Sequence, residues 1–130
     1  MGGNYIYGDD GNDVLIGGGW SDGLFGAKGD DKYDGGDDDD TIWESTRTVN
    51  FAMSNDVISS GTGDDYIEAG GGADTINSGP GNDEIFPNPS YRDFSSDSVD
   101  CGSGVDSVRY FYSGDRETAT YCEKIENKDG

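Results

Sequence analysis

Aspartate recurs along this chain at a fixed interval of nine residues. One series has four members, a second series of four follows after a break, and one further aspartate stands in a related place near the C-terminal end. The nine positions are Asp13, Asp22, Asp31, Asp40, Asp56, Asp65, Asp74, Asp83 and Asp106. Because a fixed interval is typical of a repeat architecture, these carboxylates are expected to occupy equivalent places on a repeating fold.

The chemistry open to such a set is the binding of a hard cation. The chain has no histidine and only two cysteines, which excludes a four-cysteine zinc site and leaves carboxylate and carbonyl oxygens as ligands. Such oxygens suit Ca²⁺, with Mg²⁺ as the competing ion. A cage built largely from flexible backbone carbonyls favours Ca²⁺, because its coordination shell is larger and less regular. The nine aspartates are therefore predicted calcium ligands.

The residues around each aspartate indicate the element that positions it. Glycines precede most of the aspartates, and an apolar or aromatic residue follows two places after each member of the two series. Glycine supplies the left-handed conformations of a tight turn, and a strand points alternate side chains inward. A six-residue turn and a three-residue strand therefore make one unit, and two units make a coil of eighteen residues. The predicted inward residues are Ile6, Leu15, Leu24, Tyr33, Ile42, Ile58, Ile67, Ile76 and Ile85.

These units resemble the RTX, or hemolysin-type, calcium-binding nonapeptide repeat. Residues 8–16 and 79–85 carry the pattern G-G-x-G-x-D-x-U-x closely, and the match is strong across 2–43 and 56–86. The resemblance implies an all-β, right-handed parallel β-roll in which each turn stacks on the turn eighteen residues earlier. Asp13 would then lie over Asp31, and Asp56 over Asp74. It also implies several bound Ca²⁺ ions, roughly four to six.

Several turns depart from the repeat. Trp20 and Asp38 stand where the second-half glycine is expected, Ala27 replaces another glycine, and residues 51–55 contain none. The turns leading into Asp22, Asp40 and Asp56 are therefore the doubtful calcium sites.

The breaks in the register divide one continuous domain into four parts. Residues 1–43 form a first repeat block, and 56–86 form a second. Sixteen residues separate Asp40 from Asp56, two short of a coil, so 44–55 is predicted to be a shortened, metal-poor half-coil. Val49, Phe51 and Met53 alternate and could supply its strand. Residues 87–130 are predicted to hold an excursion loop, degenerate repeats and a C-terminal cap.

Cys101 and Cys122 are the only cysteines. They are close enough in sequence to pair, and a disulfide would suit an oxidising compartment, while two free thiols are the alternative. The segment resembles a disulfide-closed cap of some secreted members of the family. A cap is needed because an exposed strand edge invites pairing with another chain.

The composition restricts the function. Hydrophobic residues make up 31% of the 130 residues and the formal net charge is -20, a composition also typical of a disordered acidic tail. Nucleic acid and anionic membranes are poor partners for such a chain. With a small core and strong self-repulsion, folding is expected to need Ca²⁺. The absence of histidine argues against an enzyme, and the expected role is a calcium-binding module of a larger secreted protein.

One outer face is a candidate partner surface. Tyr7, Phe25 and Trp43 stand eighteen residues apart and would form an outward aromatic ladder on consecutive coils. A glycan or a partner protein could bind there. The alternative is that these aromatic residues only favour strands and pack on each other.

Overall fold

The computed structural model describes residues 2–44, 53–87, 95–110 and 118–127. In these ranges the chain forms thirteen β-strands and no helix that could span a membrane. The strands are β1 (Tyr5–Asp10), β2 (Val14–Gly18), β3 (Gly23–Lys28), β4 (Lys32–Asp37), β5 (Thr41–Trp43), β6 (Val57–Thr62), β7 (Tyr66–Glu68), β8 (Thr75–Asn77), β9 (Glu84–Phe86), β10 (Ser98–Asp100), β11 (Ser107–Tyr110), β12 (Thr118–Thr120) and β13 (Lys124–Asn127).

The strands alternate between two parallel sheets. Odd-numbered strands form a seven-stranded sheet in the order β1-β3-β5-β7-β9-β11-β13, and even-numbered strands form a six-stranded sheet in the order β2-β4-β6-β8-β10-β12. Each strand therefore pairs with the strand one coil away, as in the pairing of Tyr7 with Phe25. This arrangement confirms the predicted β-roll with two nonapeptide units per coil.

The core is one column of side chains along each sheet. The inward residue of almost every strand is fully buried, and the flanking residues point outward because side chains alternate along a strand. Eight of the nine predicted inward residues, all except the half-buried Ile6, belong to the buried core. Val99 and Val108 continue the columns toward the C-terminal end. One large side chain per strand is a small core, so the roll needs further sources of stability.

The connections between the sheets lie on two edges of the roll. We call the edge that carries the connections β2–β3, β4–β5, β6–β7, β8–β9, β10–β11 and β12–β13 the regular edge, because inward residues across all but the last of these are nine apart, as in Leu15 and Leu24. The last connection is shorter, with Ala119 and Ile125 six residues apart. The other edge, here the interrupted edge, carries β1–β2, β3–β4, β5–β6, β7–β8, β9–β10 and β11–β12. All the extra residues between β1 and β12 fall on the interrupted edge.

The strand register places the first break differently from the sequence prediction for 44–55. Lys32 of β4 pairs with Val57 of β6, and Asp31 and Asp56 stack although they are 25 residues apart. A regular coil has eighteen residues, so the connection between the consecutive strands β5 and β6 is seven residues longer than a regular one, and this register does not fit a shortened half-coil. Val49 and Phe51 lie outside the described residues, and Met53 makes an isolated bridge with Gly71.

The second break adds residues to the connection between β9 and β10, and residues 88–94, where the excursion loop is predicted, lie outside the described residues. Asp74 and Asp97 stack at a separation of 23 residues, five more than a regular coil. The pattern then resumes through β10 and β11. At the end of the roll, β13 pairs with β11, and a disulfide joins Cys101 to Cys122 with a Cα–Cα distance of 5.3 Å, which confirms the predicted pairing.

The non-glycine residues at turn positions adopt the backbone conformation that glycine would. Trp20, Ala27 and Asp38 have φ angles of 80°, 80° and 75°. Their turns therefore follow the same path as the glycine turns, at a strain of about 1–2 kcal/mol per residue. The departures from the repeat cost stability without changing the fold.

Candidate metal centres

The predicted ligands form two columns, one along each edge of the roll. Asp22, Asp40, Asp65, Asp83 and Asp106 stack along the regular edge, and Asp13, Asp31, Asp56 and Asp74 stack along the interrupted edge. Asp97 continues the second column. It was not among the nine predicted ligands, although it stands nine residues before Asp106 and two before Val99.

A hydrogen-bond ladder fixes each column. From the second aspartate of each column onward, one carboxylate oxygen, Oδ1, accepts the backbone N–H of the aspartate one coil earlier, at 2.7 to 2.9 Å. The backbone carbonyl of the earlier aspartate accepts the N–H of the residue that follows the later one, as in Lys32 to Asp13 at 2.9 Å. Both the position and the rotamer of each carboxylate are therefore set by the neighbouring coil.

The second carboxylate oxygen, Oδ2, has a different environment. In eight of the aspartates this oxygen is buried and has no hydrogen-bond donor within the described part of the chain: Asp13, Asp22, Asp31, Asp40, Asp65, Asp74, Asp83 and Asp106. A buried acceptor without a partner costs roughly 1–3 kcal/mol, and more when it is charged. A repeated set of such oxygens requires a ligand that supplies positive charge.

A backbone carbonyl shares the space with Oδ2 in the glycine turns. At Gly17, a methyl group on Cα would lie 2.7 Å from Oδ2 of Asp22 and 2.5 Å from the carbonyl oxygen of Gly35 in the next coil. At Gly8, the equivalent place is 2.9 Å from Oδ2 of Asp13 and 3.0 Å from the carbonyl oxygen of Gly26. Two acceptors converge there with no donor between them, which is the arrangement that a cation satisfies.

The raised pKa values of several aspartates also indicate that the columns lack positive charge. Burial raises the pKa of Asp40, Asp56 and Asp83 to about 6 and that of Asp74 to about 9, opposed by backbone hydrogen bonds and reinforced by neighbouring carboxylates. The ion pairs of the described residues involve only Lys28 and Arg109, which are exposed. No described basic side chain compensates the two acidic columns.

The donor set fits Ca²⁺. Within the described ranges, no three acidic side chains gather at one point that could hold a metal. Each ion would therefore combine one or two aspartates with backbone carbonyls of the stacked turns. Such mixed oxygen ligands in a flexible cage are characteristic of Ca²⁺, whereas Mg²⁺ demands a near-ideal octahedron.

The turn before Asp56 is different from the others. Here the hydroxyl of Ser54 lies 3.3 Å from Oδ2 of Asp56, which therefore has a partner. The same hydroxyl donates to Oε1 of Glu44 at 2.6 Å. Glu44 is only 4% exposed and was missed from the sequence because the nine-residue register breaks directly after Trp43.

The three aromatic residues of the predicted partner surface lie together on the outer face of the seven-stranded sheet. The rings of Tyr7 and Phe25 stack with centroids 5.0 Å apart and planes at 14°, and Trp43 follows Phe25 at 6.1 Å. Tyr5 extends the group at 6.3 Å from Phe25. Exposure of 75% for Tyr5 and 64% for Tyr7 leaves much of this surface in contact with solvent.

Comparison with known proteins identified one family. The sequence model of the RTX calcium-binding nonapeptide repeat matches in four copies, over residues 2–22, 7–42 and 53–85. No curated protein and no solved structure matched the chain. The matched ranges contain eight of the ten stacked aspartates.

Proposed function

The chain belongs to the RTX calcium-binding nonapeptide repeat family, and from this premise we propose that it is a module that folds outside the cell by binding several Ca²⁺ ions. The observation that carries the proposal is the repeated pairing of a buried Oδ2 with a backbone carbonyl, as at Asp22 and Gly35. The repeats themselves are a structural calcium-binding unit. We therefore assign the module a structural role and no reaction.

The ions supply the stability that the small core lacks. Burial of one Ile or Leu contributes about 1.5–3 kcal/mol per unit, against roughly 1–2 kcal/mol of backbone entropy for each of its nine residues. Without cations, the carboxylates also repel one another, both within each column and between the two columns. Roughly four to six divalent ions would remove most of this repulsion, because each lowers the negative charge by two.

The same chemistry supports an extracellular location. The Cys101–Cys122 disulfide persists best in an oxidising compartment. Calcium sites of extracellular modules typically bind in the range of about 10⁻⁴–10⁻³ M, so such a chain stays unfolded where Ca²⁺ is scarce and folds where it is abundant. The module would thus serve as a part of a larger secreted protein that becomes ordered after export.

Circular dichroism of the calcium-free and calcium-loaded chain tests the proposal. We expect a disordered spectrum in a chelator and a β-rich spectrum at millimolar Ca²⁺, with an ion count by mass spectrometry rising in parallel. Mg²⁺ at the same concentration is the control and should not produce the change. A fully β-rich spectrum in the chelator would rule out calcium-coupled folding.

A second candidate function is recognition through the aromatic face. A groove of about 430 Å³ is lined by the rings of Tyr5, Phe25 and Trp43 together with Gly23 and Asp39. The lining contains aromatic faces and carboxylate or hydroxyl acceptors but no basic residue. This chemistry suits a neutral sugar ring, whose C–H face packs on aromatic side chains and whose hydroxyls donate to acidic groups.

Paired substitutions on the two outer faces test this recognition. Phe25→Ser with Trp43→Ser should leave calcium binding nearly unchanged and abolish retention on neutral glycans. The control pair is Val14→Ser with Ile16→Ser, which lies on the six-stranded sheet and is exposed by 68% and 60%. If neither pair changes glycan retention or self-association, the aromatic ladder is structural only.

A further inference from the structure

Glu44 occupies the place that glycine has in the earlier turns of the interrupted edge. The pairing of Leu24 with Ile42 sets Glu44 directly against Gly26, and Gly8 is one coil further away. Its side chain is 4% exposed and turns into the roll. At this position the earlier turns have a glycine in contact with the Asp carboxylate, because a Cβ at Gly8 would lie 2.9 Å from Oδ2 of Asp13 and a Cβ at Gly26 would collide with Oδ2 of Asp31. In this turn a second carboxylate takes the place of the glycine.

The carboxylate of Glu44 accepts two hydrogen bonds. Oε1 accepts the hydroxyl of Ser54 at 2.6 Å, and the backbone of Gly71 in the next coil also bonds to the carboxylate. Oε2 lies so close to Gly70 that a Cβ on that residue would collide with it. The two hydrogen bonds stabilise the charged form, while burial, the larger effect, raises the pKa of Glu44 to about 8.

The number of donors in this turn is too small for the acceptors. Ser54 has one hydroxyl hydrogen, yet oxygens of both Glu44 and Asp56 lie within 3.3 Å of it. When this hydrogen is directed at Glu44, Oδ2 of Asp56 has no other hydrogen-bond donor among the described residues. Both carboxylates are buried, so bulk water cannot supply a further hydrogen-bond donor.

A third carboxylate faces the same interior without a donor. Asp31 is 1% exposed and its Oδ2 has no hydrogen-bond partner, and its charge acts on Glu44 together with that of Asp56. The described basic side chains that form ion pairs, Lys28 and Arg109, do so on the exposed surface. Among the described residues, no basic side chain gives these three buried carboxylates a compensating positive charge.

We propose that Glu44 is a calcium ligand, and that an ion held by Glu44 and Asp56 joins the two ends of the long connection between β5 and β6. The side-chain oxygens of Glu44, Asp56 and Ser54 replace there the glycine carbonyls that serve the regular turns. This inference rests on the proposed calcium binding of the whole module. It reverses the expectation from the sequence that 44–55 is poor in metal.

Ion counting on the full chain tests the role of Glu44. Glu44→Gln keeps the size and the acceptor for Ser54 but removes the charge, and we expect one ion fewer at saturating Ca²⁺ by native mass spectrometry. The matched control is Glu68→Gln, which changes the same residue type on the next coil at the outer face of β7. An unchanged ion count in Glu44→Gln overturns the proposal.

Anomalous scattering from calcium-loaded crystals of the wild-type chain gives an answer even if Glu44→Gln fails to fold. We expect a peak within about 2.6 Å of a Glu44 oxygen, the usual upper limit for a Ca–O bond. Peaks along the aspartate columns with none beside Glu44 would overturn this inference and leave the calcium-binding module intact. Absence of any peak would reject both.

Discussion

The hydroxyl of Ser78 donates a hydrogen bond of 2.9 Å to the carbonyl oxygen of Cys101 one coil later. Ser60 makes the same contact with Ser78, also at 2.9 Å. These three residues occupy on the regular edge the position that Gly17 and Gly35 hold in the first block. A chain of hydroxyl–carbonyl bonds therefore connects the disulfide to the middle of the roll.

Reduction of the disulfide should weaken the C-terminal coils most. Closing a loop of 21 residues stabilises a domain by about 3 kcal/mol, so reduced protein should need more Ca²⁺ for half-folding and melt at a lower temperature. Hydrogen exchange measured strand by strand should show the loss first in β11 and β13. The double variant Cys101→Ala with Cys122→Ala controls for effects of the reductant. Equal protection of these strands with and without the disulfide would contradict the role of the cap.

Asp40→Asn should weaken calcium binding and at the same time favour folding of the calcium-free protein. The asparagine oxygen can still accept the N–H of Asp22, and the new amide can donate to the carbonyl oxygen of Ser60, which faces Oδ2 of Asp40. Loss of the charged ligand should weaken calcium binding by roughly 1.5–3 kcal/mol, about one to two powers of ten in affinity. The calcium-free protein should in contrast become more ordered. Isothermal titration and circular dichroism measure the two effects.

Asp34→Asn is the matched control for that variant. Asp34 lies on β4 in the neighbouring half of the same coil, but its side chain is exposed on the outer face. Affinity for Ca²⁺ should stay within about twofold of wild type, because exposed charges are screened. A comparable loss in both variants would mean that overall charge, not the buried column, governs binding.

Two glycines with nearly the same backbone conformation should differ in their tolerance of alanine. Gly18 and Gly61 have φ angles of 110° and 104°, so both substitutions carry left-handed strain of about 1–2 kcal/mol. Beside Gly18 a Cβ meets no atom within 4 Å, whereas at Gly61 it would collide with the carbonyl oxygen of Gly36. Gly61→Ala should therefore cost about 1–3 kcal/mol more than Gly18→Ala in calcium-loaded denaturation. Similar losses would show that the stacked turns are looser than described.

Acidification should partly replace calcium. Burial raises the pKa of Asp40, Asp56 and Asp83 to about 6 and of Asp74 to about 9, above the ordinary aspartate value of 3.8. The folded chain then holds protons that the unfolded chain releases. This stabilisation is complete below the unfolded pKa and is lost as the pH rises through 6 and 9.

Calcium-free protein should therefore gain β-structure when the pH falls from about 8 to about 4.5, as followed by circular dichroism. Calcium affinity should fall over the same range, because the ligands must be ionised. Asp40→Asn should show a smaller gain, since it removes one of the groups that take up a proton. A steady loss of β-structure as the pH falls would contradict the raised pKa values of these aspartates.

Much of the fold could be predicted because its nine-residue period can be read from the positions of one residue type, aspartate. The spacing of Asp13, Asp22 and Asp31, each followed by an inward Leu or Tyr, is enough to define turn, strand and stacking partner. Trp20 and Asp38 did not disturb the turns, since a few kcal/mol of local strain is smaller than the stabilisation that the hydrogen-bond ladder and the core of the neighbouring coils provide together.

The longer connection between β5 and β6 could not be predicted in the same way. Sixteen residues from Asp40 to Asp56 are compatible with a shortened half-coil or with a long connection between consecutive strands, and only the pairing of Lys32 with Val57 decides between them. The burial of Glu44 depends on this choice, because its position in the repeat is undefined until the register is known. Periodicity therefore predicts the regular ligands and misses the different donor set that Glu44 and Ser54 provide.

From β2 to β11, inward residues across the regular edge are always nine residues apart, and this constant spacing keeps consecutive strands in phase. A single-residue insertion there would shift the next strand by one place and exchange its inward and outward side chains. The interrupted edge has absorbed seven extra residues before Asp56 and five before Asp97 with both flanking strands still in phase. Gene segments of eighteen codons can thus be duplicated or lost without disturbing either carboxylate column, and shorter insertions are tolerated on one edge alone. The same asymmetry marks the interrupted edge as the site where an engineered loop could be grafted.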